Sequence, residues 1–417
     1  MAGLGDQGAR VILYRTVLGL ALPFLLAQAL VHALRGVIPW RGVAERLGGG
    51  TGGLGPHVWL HGASLGELTS ARPVLERLLA DGPVIVTCNT GSARAMVVEW
   101  ALPGVDVALA PFDLGWALAR FRRRWQPSAL ILIESELWPA RMAAMQGKPV
   151  VLIGARLSTR AAARWQGWAA GLMRRMLAGV TLLSAQDAGS EARFLALGLS
   201  AARLGPRLML KAHVQAKATV APFANPFARH QTLLAASTHE GDEVPILDAF
   251  LAARAAGGFQ HLIIAPRHLH RATAIAADIA ARGIPFAQRS RGQVPGPETP
   301  VYLADTLGEM HHWYAMAGAT IIGGSFGSLG GHTPYEPASC GSAILHGPDV
   351  ANFTEAFAAL DEKGAAIGVA GFDDLAAALI GLDAATQDRL AKHAATGLMP
   401  GTGMAVLLAA VQAAIDR

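Results

Sequence analysis

Short apolar runs recur along the chain, each followed by a stretch in which apolar residues return every three or four positions. In the first half the runs are HVWLH, PVIVT, VDVALA, ALILIE, PVVLIG and VTLLSA. In the second they are TLLAAS, HLIIAP, ATIIGG and SAILHG. Runs of this length, apolar at nearly every position, predict strands buried on both faces. The stretches between them predict helices: after HGAS, residues Leu68, Ala71, Leu75, Leu78 and Leu79 fall on one helical face. Strands alternating with helices predict an α/β fold of parallel, doubly wound sheets covered on both sides. Residues 206–230 break the alternation with prolines and mixed polarity. They predict a link between two such domains, with a linker at 211–230, domains at 41–210 and 231–417, and a separate segment at 1–40. No short-period repeat or low-complexity tract is present.

In such sheets ligands are received at the carboxyl ends of strands, where the chain turns into a helix. Four turns carry the pattern Ser/Thr-x-x-Glu, a reciprocal cap for a helix start. They are Ser64–Glu67 in HGASLGE, Ser237–Glu240 in STHE, Thr306–Glu309 in TLGE and Thr333–Glu336 in TPYE. The last has Pro334 at the favoured first helical position and follows the glycine-rich IIGGSFGSLGGH. Each predicted helix start offers N–H groups and a partial positive charge that suit a phosphate or carboxylate. Several of them around one ligand would point to an anionic, nucleotide-linked donor. The glycine-rich turn lacks the G-K-[ST] of a P-loop and does not sit in the first strand–helix position of a dinucleotide fingerprint. For Glu67 two roles stand open: helix cap, or carboxylate base.

The first forty residues read differently. Between Arg15 and Arg35 lies TVLGLALPFLLAQALVHAL, residues 16–34, with no Asp, Glu, Lys or Arg. It is long enough to cross a bilayer as a helix, yet it contains Pro23, Gln28 and His32, and arginines flank it at 10, 15, 35, 41 and 46. A spanning anchor, an interfacial helix, a cleaved signal peptide and a buried core helix compete. Arginines on the C-terminal flank favour an uncleaved anchor with the body in the cytoplasm.

Composition narrows the classes. A chain of 417 residues can hold two separate cores. It is 52% hydrophobic, with mean hydropathy +0.35, but much of that is alanine, so it does not read as a polytopic membrane protein. The net charge of +5 comes mostly from arginines spread along the chain. That favours acidic small substrates or an anionic membrane surface, and no nucleic-acid motif is present. Cys88 and Cys340 form no spacing motif and suit a reducing compartment. His268 and His270 in HLH lack carboxylate partners at ligand spacing, so no metal site is predicted. His239 and His268 suit either a substrate hydrogen bond or a structural role.

In order and separation these motifs resemble those of the Kdo transferases, which attach 3-deoxy-D-manno-oct-2-ulosonic acid (Kdo) from CMP-Kdo to lipid A precursors. The resemblance covers nearly the whole chain: the apolar N-terminal segment and RGVAERLG, then HGASLGE, PFDLGWALARFRRRWQP, ESELWP, ARLS, STHEGDE, PRHLHR, DTLGEM, GGSFGSLGGHTPYEPA and GPDVANF. It implies a GT-B fold, two Rossmann-like doubly wound domains with a cleft between them, behind an N-terminal membrane-associated helix. The acceptor domain would be 41–210 and the CMP-sugar donor domain 231–417. Carried over motif by motif, Glu67 is the general base, and Glu134 and Lys211 stabilise the transition state. CMP contacts fall on Pro266, Arg267, Leu307, Gly308, Glu309, Thr333, Pro334, Tyr335 and Glu336.

The implied partners are CMP-Kdo, a lipid A precursor of the lipid IVA type and a membrane surface, with no nucleic acid, no cofactor and no metal. The implied location is the inner membrane, facing the cytoplasm. The residue types suit the chemistry, because Kdo carries a carboxylate beside its anomeric carbon and the departing CMP carries a phosphate, so cations and helix starts are wanted at the anionic ends. The chain departs from the family pattern at Gly154 and Ala140, where asparagine is usual, at Thr333 in GGHT for GGHN, at His270 in LHR for PER, and in RLMLK ahead of Lys211. Two other readings follow from these departures: a GT-B paralogue with a different nucleotide sugar or lipid acceptor, and a non-catalytic lipid-binding scaffold.

Overall fold

The structure, a computed structural model, describes residues 3–53, 55–134, 136–167, 169–210, 225–398 and 403–416, with backbone alone for 3–13. The chain divides into two compact units, Met1–His213 with Gly401–Arg417, and Val214–Pro400. The expected donor domain at 231–417 therefore needs correction at its end. The last helix, Gly403–Ile415, packs on the first unit, where Leu407, Val411 and Ala414 enter the core beneath its sheet.

The first unit is built on six parallel strands: β1 (Val58–His61), β2 (Val84–Cys88), β3 (Val105–Leu109), β4 (Ala129–Ile133), β5 (Val150–Ala155) and β6 (Leu182–Ala185). Their order is β3-β2-β1-β4-β5-β6. All six runs read from the first half of the sequence are strands. Alternate residues serve opposite faces: Trp59, Ile85, Leu130 and Leu152 join one core, and Leu60, Val86, Ile131 and Ile153 the other. Each such side chain contributes roughly 1.5–3 kcal/mol on burial, which explains why β4, inside the sheet, is apolar at all five positions. The order reverses between β1 and β4. The connections that leave them run to opposite sides and open a crevice at their carboxyl ends.

The second unit holds β7 (Thr232–Thr238), β8 (His261–Pro266), β9 (Phe286–Gln288), β10 (Val301–Leu303), β11 (Ala319–Ile322), β12 (Ala343–His346) and β13 (Ala366–Gly368). Their order is β13-β12-β11-β7-β8-β10-β9, all parallel. The reversal falls between β7 and β11. The four long runs of the second half are strands; β9, β10 and β13, three residues each, are too short to show a period.

The N-terminal helix, Gly3–Leu34, is long and apolar enough over Tyr14–Leu34 to cross a membrane, and most of that segment lies outside the core. One face, at Ala29 and Ala33, packs on the first unit, while Val17, Leu20, Phe24, Val31 and Leu34 on the other are exposed, Leu20 at 78% and Phe24 at 72%. A core helix would have covered them. The short helix Trp40–Arg46 follows and inserts Glu45 between β3 and the helix Gly91–Glu99.

Candidate active site

In the first unit the crevice between β1 and β4 is lined from both sides. β1 ends at His61 and the chain turns through Gly62 and Ala63 into the helix Leu65–Ser70, with Ser64 as its cap. The Ser64 hydroxyl accepts from Glu67 N–H at 3.3 Å and donates to Glu67 Oε1 at 2.9 Å, and Ala63 N–H donates to Oε2 at 2.7 Å. Of the four predicted capping boxes this one forms, with the reciprocal bond taken one residue early. Each carboxylate oxygen carries two lone pairs, so capping leaves acceptor capacity on both. Burial pushes the Glu67 carboxyl above the usual range; the Ala63 and Ser64 bonds oppose this, while the Glu134 and Glu136 charges add to it. A carboxylate made more basic by burial, with like charges adding to it, has the character a proton acceptor needs.

Those charges arrive from β4. Glu134, the residue after the strand, is held at φ 59°, a left-handed conformation costly for a non-glycine residue. Glu136 follows within two residues. Its Oε2 accepts from Trp138 Nε1 at 2.7 Å and Asn89 Nδ2 at 3.3 Å, and His61 Nε2 stands 3.5 Å away. Burial raises the Glu136 carboxyl, but the N–H groups of His61 and Trp138 and the charge of Arg141 bring it down to about 2. Arg141, buried against Trp59, is lowered to about 10 by burial. Glu136, His61 and Asn89 were not singled out from the sequence. Both Glu136 and His61 lie inside quoted motifs, ESELWP and HGASLGE, and that is the signal that was available.

His61 is fully enclosed, and burial and the Arg141 charge lower it from 6.5 to about 4. Its Nδ1 is 2.9 Å from Thr87 Oγ1. The adjacent Glu136 carboxylate favours the tautomer with hydrogen on Nε2, which lets Thr87 donate to Nδ1. Between pH 6.5 and 4 the unfolded chain binds a proton here that the folded chain refuses, so stability falls as pH falls through that window, by up to about 3 kcal/mol from this residue. Glu136 acts lower: its stabilisation is present above the ordinary carboxylate pKa and is lost as pH falls towards 2. Urea unfolding midpoints are expected to drop between pH 7 and pH 4.5, and less so for His61→Asn. Equal drops in the two proteins would remove His61 as the cause.

In the second unit the candidate residues follow the ends of β8, β10 and β11, beside the turn that leaves β7. Ser237 takes φ 56° at a register shift between Ala236 and Thr238, and the helix expected at Ser237–Glu240 begins instead at Glu243. Asp242 ties the turn, accepting from His239 N–H at 2.9 Å and Gly324 N–H at 2.8 Å. Gly323 must be glycine, since a Cβ there would lie 2.4 Å from the Ser237 carbonyl oxygen. Pro266 closes β8, and the Arg267 backbone N–H bonds the Thr238 carbonyl at 2.9 Å, leaving its side chain exposed. His239 and His332 meet through their Nε2 atoms at 2.8 Å, one donating and one accepting. Burial and the neighbouring His239, Arg267 and His268 charges lower His332 to about 4.

The remaining boxes are also corrected. Glu309 itself precedes the helix Met310–Met316 and is held by Arg289, at 3.1 and 2.7 Å, and by the Thr306 hydroxyl; a strong ion pair takes the carboxylate that a cap would need. Leu307 is 79% exposed beside Gly308 at φ 83°. Thr333 Oγ1 accepts from Tyr335 N–H at 3.3 Å, and Pro334 stands before, not within, the five-residue helix Tyr335–Ser339. Glu336 is exposed, with its charge felt by the buried Tyr314. Lys211 lies outside the described residues. Among the described residues no group of three or more His, Cys, Asp and Glu side chains is placed to hold a metal ion.

A profile of the family described as 3-Deoxy-D-manno-octulosonic-acid transferase (kdotransferase) matches residues 41–214. The 3-deoxy-D-manno-octulosonic acid transferase of Bordetella pertussis is 34% identical over 332 residues, covering 74% of this chain and 75% of that one. The chain belongs to the Kdo transferase family. The enzyme of the same description from Haemophilus influenzae is 29% identical and covers 73% of this transferase and 74% of its own length. The UDP-GlcNAc 2-epimerase of Neisseria meningitidis shares the fold alone, with TM-score 0.60 and 14% identity over 86% of the transferase. The transferase is a glycosyltransferase of the GT-B fold class. Two of its departures from the family pattern, Gly154 and Ala140, have a local account. Gly154 sits at φ 62°, a conformation that asparagine and glycine both adopt, so the exchange preserves the backbone. At Ala140 the backbone N–H, not the side chain, makes the bond, to Asp113 Oδ2 at 2.8 Å.

Proposed function

We propose that this transferase moves Kdo from CMP-Kdo to a hydroxyl of a lipid A precursor, of the lipid IVA type, with inversion at the anomeric carbon. The acceptor oxygen forms the new bond to that carbon as the bond to the CMP phosphate breaks; the hydroxyl proton passes to Glu67 and CMP leaves with the bonding pair. The observation that carries this reading is the placement of Glu67 at the β1–β4 crevice of a Kdo transferase family member, made more basic by burial and by Glu134 and Glu136. Glu134 and Lys211 are assigned to the transition state, where charge separates between sugar and phosphate. The donor site is assigned to Pro266, Arg267, Leu307, Gly308, Glu309, Thr333, Pro334, Tyr335 and Glu336. The exposed Arg267 guanidinium supplies a cation for the phosphate, and Arg289 fixes the 306–309 turn through Glu309.

The same reading places the transferase at the cytoplasmic side of the inner membrane, with the exposed apolar face of Tyr14–Leu34 in the interface, where its acylated acceptor resides. Full-length protein recovered wholly in the soluble fraction after a salt wash would overturn that placement. The function is tested by incubating purified full-length protein with CMP-Kdo and a tetraacylated lipid A precursor. CMP release and a matching gain in lipid mass are expected, and no release with several acylated acceptors would end the proposal.

A further inference from the structure

An open pocket of about 660 Å3 lies in the first unit, and neither Glu67, Glu134 nor Glu136 lines it. Its floor is soft and apolar: Met142, Met145 and Met176, all buried in the protein. Around it stand Arg15, Lys148, Arg175 and Arg203, and none of its described lining residues is an Asp or Glu. The volume falls in the range of ligand pockets, ~300–1,000 Å3. Unbranched thioether side chains fit a flexible apolar chain without demanding one shape. A cationic rim over an apolar floor matches an amphiphile with an anionic head.

Two walls say where such a ligand would come from and where it would lead. One is Tyr14 and Arg15, on the helix that exposes Val17, Leu20 and Phe24 just beyond. The other includes Ala143, on the helix Pro139–Ala144, which begins directly after the segment bearing Glu134 and Glu136. An acyl chain passing from the face of the apolar helix into the pocket would bring its headgroup towards the loop that carries the carboxylates.

We propose that this pocket takes one acyl chain of an acylated, phosphorylated sugar acceptor, with a phosphate of the acceptor at the arginine and lysine rim. This rests on the reading of the acceptor given under Proposed function. The bound chain would position the acceptor hydroxyl by its depth in the pocket, so chain length and number would govern which acceptors are used.

The test uses full-length protein in detergent and a tetraacylated disaccharide phosphate bearing a diazirine near one chain end. After irradiation, adducts are expected on the peptides holding Met142, Met145 and Met176, and Ala143→Trp, which fills the pocket from an exposed helix position, removes them. The same variant lowers the kcat/KM preference for the acylated over the O-deacylated acceptor at least about tenfold. Ala143→Ser, which leaves the space open, keeps both. Adducts elsewhere, adducts that survive Ala143→Trp, or adducts abolished equally well by equimolar phosphatidylglycerol overturn the proposal. If adducts form in the pocket and Ala143→Trp removes them, yet no acceptor gives CMP release, the pocket stands and the transfer reading fails.

Discussion

Glu67→Gln is expected to leave CMP affinity nearly unchanged and to lower kcat at least about a hundredfold, the usual contribution of a well-placed general base. Glutamine keeps a carbonyl oxygen for Ala63 N–H or the Ser64 hydroxyl, so the start of the helix Leu65–Ser70 retains part of its cap. What it loses is the basic oxygen. The assigned CMP contacts all belong to the second unit, so nucleotide binding is a fair control for folding there. A role limited to capping predicts the opposite pair of results: a stability loss of roughly 0.5–2 kcal/mol with turnover kept. Thermal midpoints, calorimetric titration with CMP and turnover of the one variant separate the two. Retention of more than about a tenth of the rate would assign the base elsewhere.

The largest stability effect is expected at Glu45, well away from the chemistry. Its carboxylate holds Arg94 through two bonds, at 3.0 and 2.8 Å, and accepts Leu109 N–H at 2.8 Å, with Glu45 1% and Arg94 7% exposed. Glu45→Ala leaves a guanidinium buried without its counter-charge and a strand N–H without an acceptor, a loss of about 3–5 kcal/mol. Glu45→Gln combined with Arg94→Met removes both charges and keeps an acceptor for Leu109, and should recover more than half of that. Urea unfolding of the first unit measures both. A loss below about 1 kcal/mol for Glu45→Ala would mean that the pair is solvated. The pair explains part of RGVAERLG: Glu45 clamps β3 to the helix Gly91–Glu99, and Arg46 donates to the carbonyls of Asn89, at 2.5 Å, and Ala110, at 2.9 Å, where β2 and β3 end.

Long apolar runs were the most readable part of the chain, because a strand buried on both faces leaves no choice of residue type. β4, with all five positions buried, is the plainest case. β10 is equally buried, but Val301–Leu303 is too short to announce itself. Helix starts were less readable. The pattern Ser-x-x-Glu recurs at Ser237, but a left-handed turn there and the grip of Asp242 on two backbone N–H groups delay the helix to Glu243. At Thr306 a cation from elsewhere in the chain, Arg289, claims the glutamate. The place of the last helix is not legible, because an apolar helix pattern says that it is buried without saying against what. Glu67 and Glu134 could be named from motifs alone. That Glu136 and His61 share their crevice depends on the parallel order of β1 and β4, which pairs residues about seventy positions apart.

Asp113 has a quiet position in this architecture. Its carboxylate takes the Tyr14 hydroxyl at 2.7 Å and the backbone N–H groups of Ala140 and Arg141 at 2.8 and 2.7 Å. One side chain thus rivets the N-terminal helix to the first turn after the Glu134–Trp138 segment. At the other end of that helix, Val37 N–H returns to the His32 carbonyl at 2.9 Å, so the exit is folded back, not trailing. A protein moored by a loose cord samples many elevations above its mooring, and its reach is statistical. Here the apolar helix and the loop that carries Glu134 and Glu136 share a rivet. Any layer that holds Val17, Leu20 and Phe24 also sets the altitude and tilt of the carboxylates, and the protein addresses its surroundings like a tool on a fixed stand.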